Sequence, residues 1–522
     1  MQGRPYAVVD LFAGPGGLAE GFSRVRNARG EAAFDIRLSV EKDAAAHRTL
    51  RLRAFLRQFG DDYPREYYDF LASPGAEPDW ERLYPAQFRA ACEEARMLEL
   101  GSAEGDREVS RRISAIRREF RGRTLLIGGP PCQAYSLAGR SRNMGKADYV
   151  PEEDHRHFLY RSYIKVLTEL KPAAFVMENV KGMLSSKVGG GRIFESVMRD
   201  LQDCGYRLVA FCQSGFLSLD PAPSDFLIRA EEFGIPQRRH RVIVMGLRKD
   251  AGDRCRDLAG LGMEDQRLPE ATARMVLDGM PKLRSGLSRG PDDAAAWAAA
   301  MTEAVQACSG ATIEPRNLAA ALRSRFREIG GKLEAGDFPK SRTSARLPKS
   351  MARSNTRLAA WLSDPRLRAL SNHETRGHMR SDLARYLFAS LFAEHESRSP
   401  RASEYPPELA PDHRNWQSGN FADRFSVQCR DSASSTITSH ISKDGHYYIH
   451  PDPEQCRSLT VREAARLQTF PDNYHFLGNR TEQYVQVGNA VPPLLANLIG
   501  KRVCALLEAC EQTAGDRRSA AA

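Results

Sequence analysis

"YAVVDLFAGPGGLAEGF", residues 6 to 22, decides how this chain is read. Its first seven residues are almost all apolar, as in a strand buried on both faces. "AGPGG" then turns the chain, and Leu18, Phe22 and Val25 repeat at helical spacing. The stretch predicts a strand, a glycine loop and a helix, with Gly14, Gly16 and Ala19 in the spacing of a nucleotide-binding turn. A second strand, "IRLSV", runs into Glu41, 24 residues beyond Gly17, where a carboxylate suits ribose hydroxyls.

Further along, "RTLLIGG" reads as a short buried strand, and Pro130 and Pro131 stiffen the backbone leading into Cys132. "AAFVMENV" is a further buried strand ending at Glu178, after a helix predicted over 158–170. "YRLVAFC" and "HRVIVMGL" continue the alternation of strands and helices. The pattern predicts an α/β fold, a doubly wound, mostly parallel sheet. In such sheets ligands bind at the carboxyl edge of the strands, so the glycine loop, Glu41, Cys132 and Glu178 are expected along one edge. In "QRRHR" strand alternation sends Arg239 and Arg241 to one side and Arg238 and His240 to the other. Two guanidiniums beside a thiol and a carboxylate suit an electron-poor planar ring that must be activated toward a nucleophile.

At 522 residues the chain is too long for one ordinary core, and its net charge of +10 fits a polyanionic partner without proving one. Ten scattered cysteines with no CxxC pair point to reduced thiols and no structural zinc. "HETRGH", residues 373 to 378, lacks the HExxH spacing and is rejected as a metal site. No segment reads as a signal peptide or membrane span, so the expectation is a soluble cytoplasmic protein. The arginines of "LRAFLRQF" and "EVSRRISAIRREF", in an insertion at about 44–123, read first as a solvated helix face and second as a DNA contact. Residues 250–455 differ in character: an Ala-rich helix, a basic loop from Lys340 to Arg357, and "SSTITSHISKDGHYYIHP", which reads as a hairpin turning at Asp444-Gly445. Thr460 and Glu463 stand in capping-box register, and "GNAVPPLLANLIG" reads as a helix beginning at Asn489.

These motifs, in this order, resemble the DNA (cytosine-5)-methyltransferases, bacterial type. "DLFAGPGG" is similar to the family's cofactor loop, "PPCQAYS" to its nucleophile loop, "MENV" to its acidic motif, "QRRHR" to its arginine motif, and "QVGNAVPP" to its last cofactor motif. "RSLTVREAARLQTFP" resembles the segment that organises target recognition. The resemblance implies a Rossmann-like catalytic domain over 1–249, a smaller mixed target-recognition domain over 250–455, and helices over 456–522 that complete the first. It implies S-adenosyl-L-methionine as cofactor, held by Phe12, Gly14, Gly16, Gly17, Glu41, Asp106, Pro131, Asn489 and Val491. Ala490 stands where many relatives carry Ser, which removes one hydroxyl contact. For catalysis it implies Cys132 as nucleophile on a flipped-out cytosine, Glu178 at N3 and the exocyclic amine, and Arg241 with Arg239 at O2. DNA contacts are expected from Gln133, Ser136, Gln237, Lys340, Arg342 and Arg346.

Double-stranded DNA is the implied partner, with no membrane and a monomer acting alone; pairing with a restriction endonuclease is a reasonable expectation that the sequence itself does not establish. An orphan or phage-defence role fits the same motifs. Three alternatives stay open: a tRNA cytosine methyltransferase, a catalytically silent DNA-binding homologue, and an NAD-dependent oxidoreductase. The first lacks its Cys-Phe-Thr segment here, the second keeps both Cys132 and Glu178, and the third leaves "PPCQ", "MENV" and "QRRHR" without a role.

Overall fold

The computed structural model describes residues 4–73, 75–131, 159–188, 191–211, 221–252, 262–349, 357–411, 416 and 424–520. Eight strands form one sheet: β1 (Tyr6–Leu11), β2 (Phe34–Glu41), β3 (Ala95–Met97), β4 (Thr124–Gly128), β5 (Ala174–Val180), β6 (Tyr206–Val209), β7 (Leu227–Arg229) and β8 (His240–Arg248). Their order is β3-β2-β1-β4-β5-β8-β6, with β7 on the side of β8. The first five strands pair in parallel, and β8 runs antiparallel to β5, β6 and β7. The expectation of a mostly parallel sheet therefore holds, with β8 as the one reversed strand of the eight. Among the described residues between β6 and β8 no long helix carries the chain back, and β8 enters from the opposite end. Because β8 is reversed, its first residues lie at the edge where β4 and β5 end.

Both faces are covered. Helix α1 (Gly17–Ser23) and the last helix pack Leu18, Phe22, Leu495 and Ile499 on the face carrying Val8, Leu125 and Val176. On the other face α5 (Ala103–Phe120), α6 (Leu159–Leu170) and α7 (Ile193–Asp203) press Ile113, Leu167 and Val197 against Val9, Leu126 and Phe175. Residues 44–94, expected as part of an insertion, add α2 (Ala44–Arg57), α3 (Arg65–Ala72) and α4 (Pro85–Glu94), whose own core of Phe55, Tyr67 and Trp80 also takes in Leu367 and Leu477.

A separate core joins α8 (Ala294–Gly310), α9 (Arg316–Glu334) and α10 (Arg380–Glu396) around Trp297, Phe326 and Phe388. The region expected to be mixed has both expected helices, and its described strands are limited to the short parallel pair Gly286–Leu287 and Gly377–His378. The stretch expected as a hairpin holds a 3-10 turn at Ser439–Ser442 instead. Local contacts replace the ladder: Arg376 donates to the Ile441 and Lys443 carbonyls, and Asp444 accepts from the His446 amide. Val276, Leu362, Ile437 and Tyr448 belong to the sheet-side core, so apolar packing does not divide at residues 250 and 455.

Near the C-terminus come α11 (Val461–Leu467), α12 (Arg480–Asn489) and α13 (Pro493–Ala520). The Thr460–Glu463 capping box forms as the sequence predicts. Asn489, expected to open a helix, instead closes α12, which starts from a second capping box at Asn479 and Glu482. The Pro492-Pro493 pair accounts for the break, with Pro493 as the first residue of α13. The apolar stretch within Arg480–Gln512 is long enough to cross a membrane by composition, but 83% of it is buried in the fold, as a core helix would be.

Candidate active site

At the end of β1 the chain turns through Phe12 (φ 57°), Gly14 (φ 57°) and Gly16 (φ 100°) before α1 begins. These left-handed values are cheap only for glycine. The Glu41 carboxylate accepts from the Gly14 amide at 2.8 Å and from the Lys42 and Asp43 amides at 2.9 and 2.8 Å, so it ties the loop to the end of β2. Burial raises its pKa against those three donors. A side chain at Gly14 would meet nothing within 4 Å, whereas one at Gly17 would collide with the Val491 carbonyl. The loop is thus open on its outer side and closed behind by the segment between α12 and α13. Val491 is buried there, while Asn489 is exposed.

Asp106 lies in the first turn of α5, where its carboxylate accepts from the Gly101 amide at 2.8 Å and from Lys165 at 3.0 Å. Leu98, which sequence reasoning missed, directly follows β3, donates its amide to the Glu41 carbonyl at 3.1 Å and packs on the same core as Phe12. Only the shortness of β3, three residues, hid it.

The second half of the edge is built by β4, β5 and β8. Cys132, Gln133 and Ser136 lie outside the described residues. The strand leading to them ends beside Glu178: a Cβ at Gly129 would stand 2.8 Å from Glu178 Oε2. Asn179 Nδ2 donates to the Pro130 carbonyl at 3.2 Å and so holds the start of the Pro130-Pro131 segment on β5. The other oxygen of Glu178 pairs with Arg241 Nε at 2.7 Å, with 12% and 13% of the two side chains exposed. Burial pulls the Arg241 pKa down, and Glu178 opposes it.

Arg239 points to the same side but is committed elsewhere. It is buried and donates to the carbonyls of Ile437 at 2.7 Å and Gly488 at 3.3 Å, joining the segment around Ile437 to α12. Arg238 and His240 face away, toward Glu270 and Glu231. Gln237 is fully buried; its amide accepts from the Ile437 amide and donates to Leu467 O and Gln468 Oε1. The structure therefore moves it from the expected DNA face to the interior, because every polar atom of the amide is satisfied by protein.

These contacts set a carboxylate, a guanidinium and the strand that carries a thiol around one point, beside a glycine loop open to solvent. Residues 107–505 match the family described as C-5 cytosine-specific DNA methylase. The chain belongs to this family. It is 32% identical over 518 residues to the type II methyltransferase M.Bpa9945I of Bacillus paralicheniformis, covering 95% of this chain and 98% of that one. Against the DNA (cytosine-5-)-methyltransferase M.ApeKI of Aeropyrum pernix it is 25% identical over 555 residues, covering 97% and 99%. Among solved structures it resembles a putative DNA modification methyltransferase encoded within an E. coli prophage, at 19% identity and a TM-score of 0.49, covering 96% and 99% of the two chains.

This DNA (cytosine-5-)-methyltransferase presents three of the expected DNA contacts on its basic loop, and they differ. Arg342 pairs with Asp292 at 2.7 Å and donates to Thr375 O at 2.9 Å, as a structural strut does. Lys340 lies over the Phe338 ring and donates to Gly336 O at 2.7 Å, yet remains exposed. Arg346 is exposed. His373 and His378 are buried in protein hydrogen bonds, with Thr460 and Pro281 for the first and Tyr386 and Ser458 for the second.

Proposed function

We propose that this enzyme transfers a methyl group from S-adenosyl-L-methionine to C5 of a cytosine flipped out of double-stranded DNA, at a specific sequence, through a covalent Cys132 intermediate. The observation that carries the reading is the Glu178–Arg241 pair at the edge where β4 leads to Cys132. The cofactor side fits its ligand by chemistry: an outward-open glycine loop, a carboxylate at the end of β2, and half-buried Phe12 and Leu98 for an adenine. Phe12, Gly14, Gly16, Gly17, Glu41 and Leu98 would hold it, with Val491 behind the loop. When bound, the cofactor supplies the methyl group.

The chain's own residues then divide the work. Cytosine C5 is a poor nucleophile until C6 is attacked, so the Cys132 thiolate adds to C6 and drives electron density toward C5. Glu178 holds the proton at N3 and accepts from the exocyclic amine, stabilising that density. Arg241 orients Glu178 and is placed for the O2 side of the ring. Arg239 acts through position: it fixes the Ile437 segment and Gly488 as walls of the cleft. After transfer, water takes the C5 proton and the C6–S bond breaks, which frees the thiolate. A base in a duplex cannot reach such an edge, which is why flipping is part of the reading. The biological role that fits is protection of host DNA beside a restriction endonuclease.

The test uses duplex DNA carrying 5-fluorocytosine at the methylated position. The wild type should form a denaturation-resistant adduct, because fluorine cannot leave as a proton does, and Cys132→Ser should form none while still binding DNA. Methyl transfer by the Ser variant at the wild-type rate would remove Cys132 from the reaction.

A further inference from the structure

The insertion carries two arginines that the sequence assigns to solvent and that the fold buries. Arg53 and Arg57 lie one turn apart on α2, so both project from one face. Arg57 pairs with the buried Glu94 of α4. Arg53 is 1% exposed and grips the 2% exposed Glu20 with two donors, Nη2 at 2.8 Å and Nε at 3.2 Å. Its Nη1 donates to Asn473 O at 3.2 Å, and its guanidinium carbon lies 4.4 Å from the centre of the Tyr474 ring. A buried ion pair of this kind costs desolvation on both sides and is weak as a source of stability. Its geometry therefore calls for another account.

That account is on the inner side of the glycine loop. Glu20 is in the turn of α1 that directly follows the loop, and its amide donates to Gly16 O at 2.8 Å. The Tyr474 hydroxyl donates to the Pro15 carbonyl, inside the loop itself. Leu50 of α2 closes the same surface, its Cδ1 2.9 Å from where a Cβ at Gly16 would sit, with the Tyr474 hydroxyl at 3.2 Å. Thr49 Oγ1 accepts from the Leu477 amide at 2.9 Å, and Tyr67 donates to Asn473 O at 2.5 Å, so the segment 473–477 is held to the insertion on both sides of Arg53. Against the burial that would raise it, Arg53 and Arg24 hold the Glu20 carboxyl down at about 2, so it stays ionised beneath the loop.

We propose that the insertion braces the glycine loop from behind and that Arg53 is a positioning residue for the cofactor: paired with Glu20 and stacked on Tyr474, it keeps the Tyr474 hydroxyl on the Pro15 carbonyl. This rests on the reading of the loop as the S-adenosyl-L-methionine site. The brace reaches the loop only from its closed side, so it sets the shape of the cradle and touches neither ligand nor DNA. The two ends of the device are far apart in sequence, Pro15 near the beginning and Tyr474 near the end, and α2 is the element inserted between them.

Calorimetric titration with S-adenosylhomocysteine, beside KM values for cofactor and DNA, tests the proposal on the full chain. Tyr474→Phe keeps the ring under Arg53 and removes only the donor to Pro15. It should weaken S-adenosylhomocysteine about tenfold, the scale of one buried hydrogen bond, with a matching rise in the cofactor KM and an unmoved DNA KM. Arg53→Met alone leaves the buried Glu20 with Arg24 as its cation, so it is made together with Glu20→Gln, and this pair should show the same split. Cofactor affinity equal to wild type in both variants would overturn the brace, and so would parallel loss of cofactor and DNA binding, which is what a merely structural defect produces. If the unaltered protein binds no S-adenosylhomocysteine, the cofactor reading fails first and the proposal falls with it.

Discussion

Gly129→Ala should separate catalysis from stability in this enzyme. Gly129 does not have a left-handed φ, so alanine is compatible with its backbone. The added Cβ would stand 2.8 Å from Glu178 Oε2, and its next contacts, the Glu178 carbonyl and Cδ, are at 3.6 and 3.9 Å. What must yield is therefore the far end of one side chain. Restoring an ordinary contact needs a carboxylate shift of about 0.6 Å, the difference from a normal approach near 3.4 Å. Because β5 lies between β4 and β8, a shift away from Gly129 disturbs the 2.7 Å pair with Arg241. On the role proposed for Glu178, a misplacement of that size lowers kcat by roughly tenfold to a hundredfold. Stability should hold or rise by up to about 1 kcal/mol, since alanine restricts the unfolded chain more than glycine does. Single-turnover transfer of tritiated methyl groups, with a thermal melt on the same preparation, reads both quantities. Activity within about twofold of wild type, or a lowered Tm, would refute the claim that Glu178 must occupy its present place.

Three further outcomes follow from the same contacts. Gly17→Ala meets the Val491 backbone, which cannot swing aside as a side chain can, so the melt should drop by the equivalent of about 1–3 kcal/mol; an unchanged Tm would show that the loop is not closed there. His373 and His450 are buried neutral with pKa values pushed down to about 4 by desolvation. The unfolded chain binds their protons near pH 6.5, so their contribution is complete above that value and is lost as pH falls toward 4, by up to about 1.4 kcal/mol per pH unit for each. His450→Gln should flatten the dependence of Tm on pH across that window, and equal slopes would remove the histidine from the account. Arg342→Ala should lower stability by about 1–3 kcal/mol and leave the salt dependence of DNA binding alone, whereas Arg346→Ala should do the reverse and reduce that slope by about 0.9; the opposite pattern in salt titrations would exchange their roles.

What the sequence makes legible is what is local or periodic. The strand, loop and helix over residues 6–22 can be read because burial, glycine placement and helical spacing all fall within one short window. The Thr460 cap is equally local. Strand direction is not: the apolar run of β8 looks the same whichever way it enters the sheet, and only its pairing with β5 shows the reversal. Gln237 fails for a related reason, since an amide suits a base edge and a buried junction equally well. Arg53 fails because its partner, Glu20, lies 33 residues away, and a charged residue with an unseen partner reads as solvated.

The closing of the glycine loop shows where the boundary falls. Gly17 and Gly21 stand four residues apart on one face of α1, a spacing that marks a face where another backbone comes close. That much is legible, but it names no partner. In the fold a Cβ at either position would collide with the α13 side, Val491 for Gly17 and Ala496 with Pro493 O for Gly21, and Asn497 Nδ2 donates to Gly21 O at 3.0 Å to lock the approach. The reciprocal glycine, Gly500, comes up under Phe22 and Val25. The last helix thus seals the glycine loop at the start of the chain because two helices each leave out the side chains that would keep them apart. The glycines can be seen one helix at a time, and their pairing only once both helices are in place.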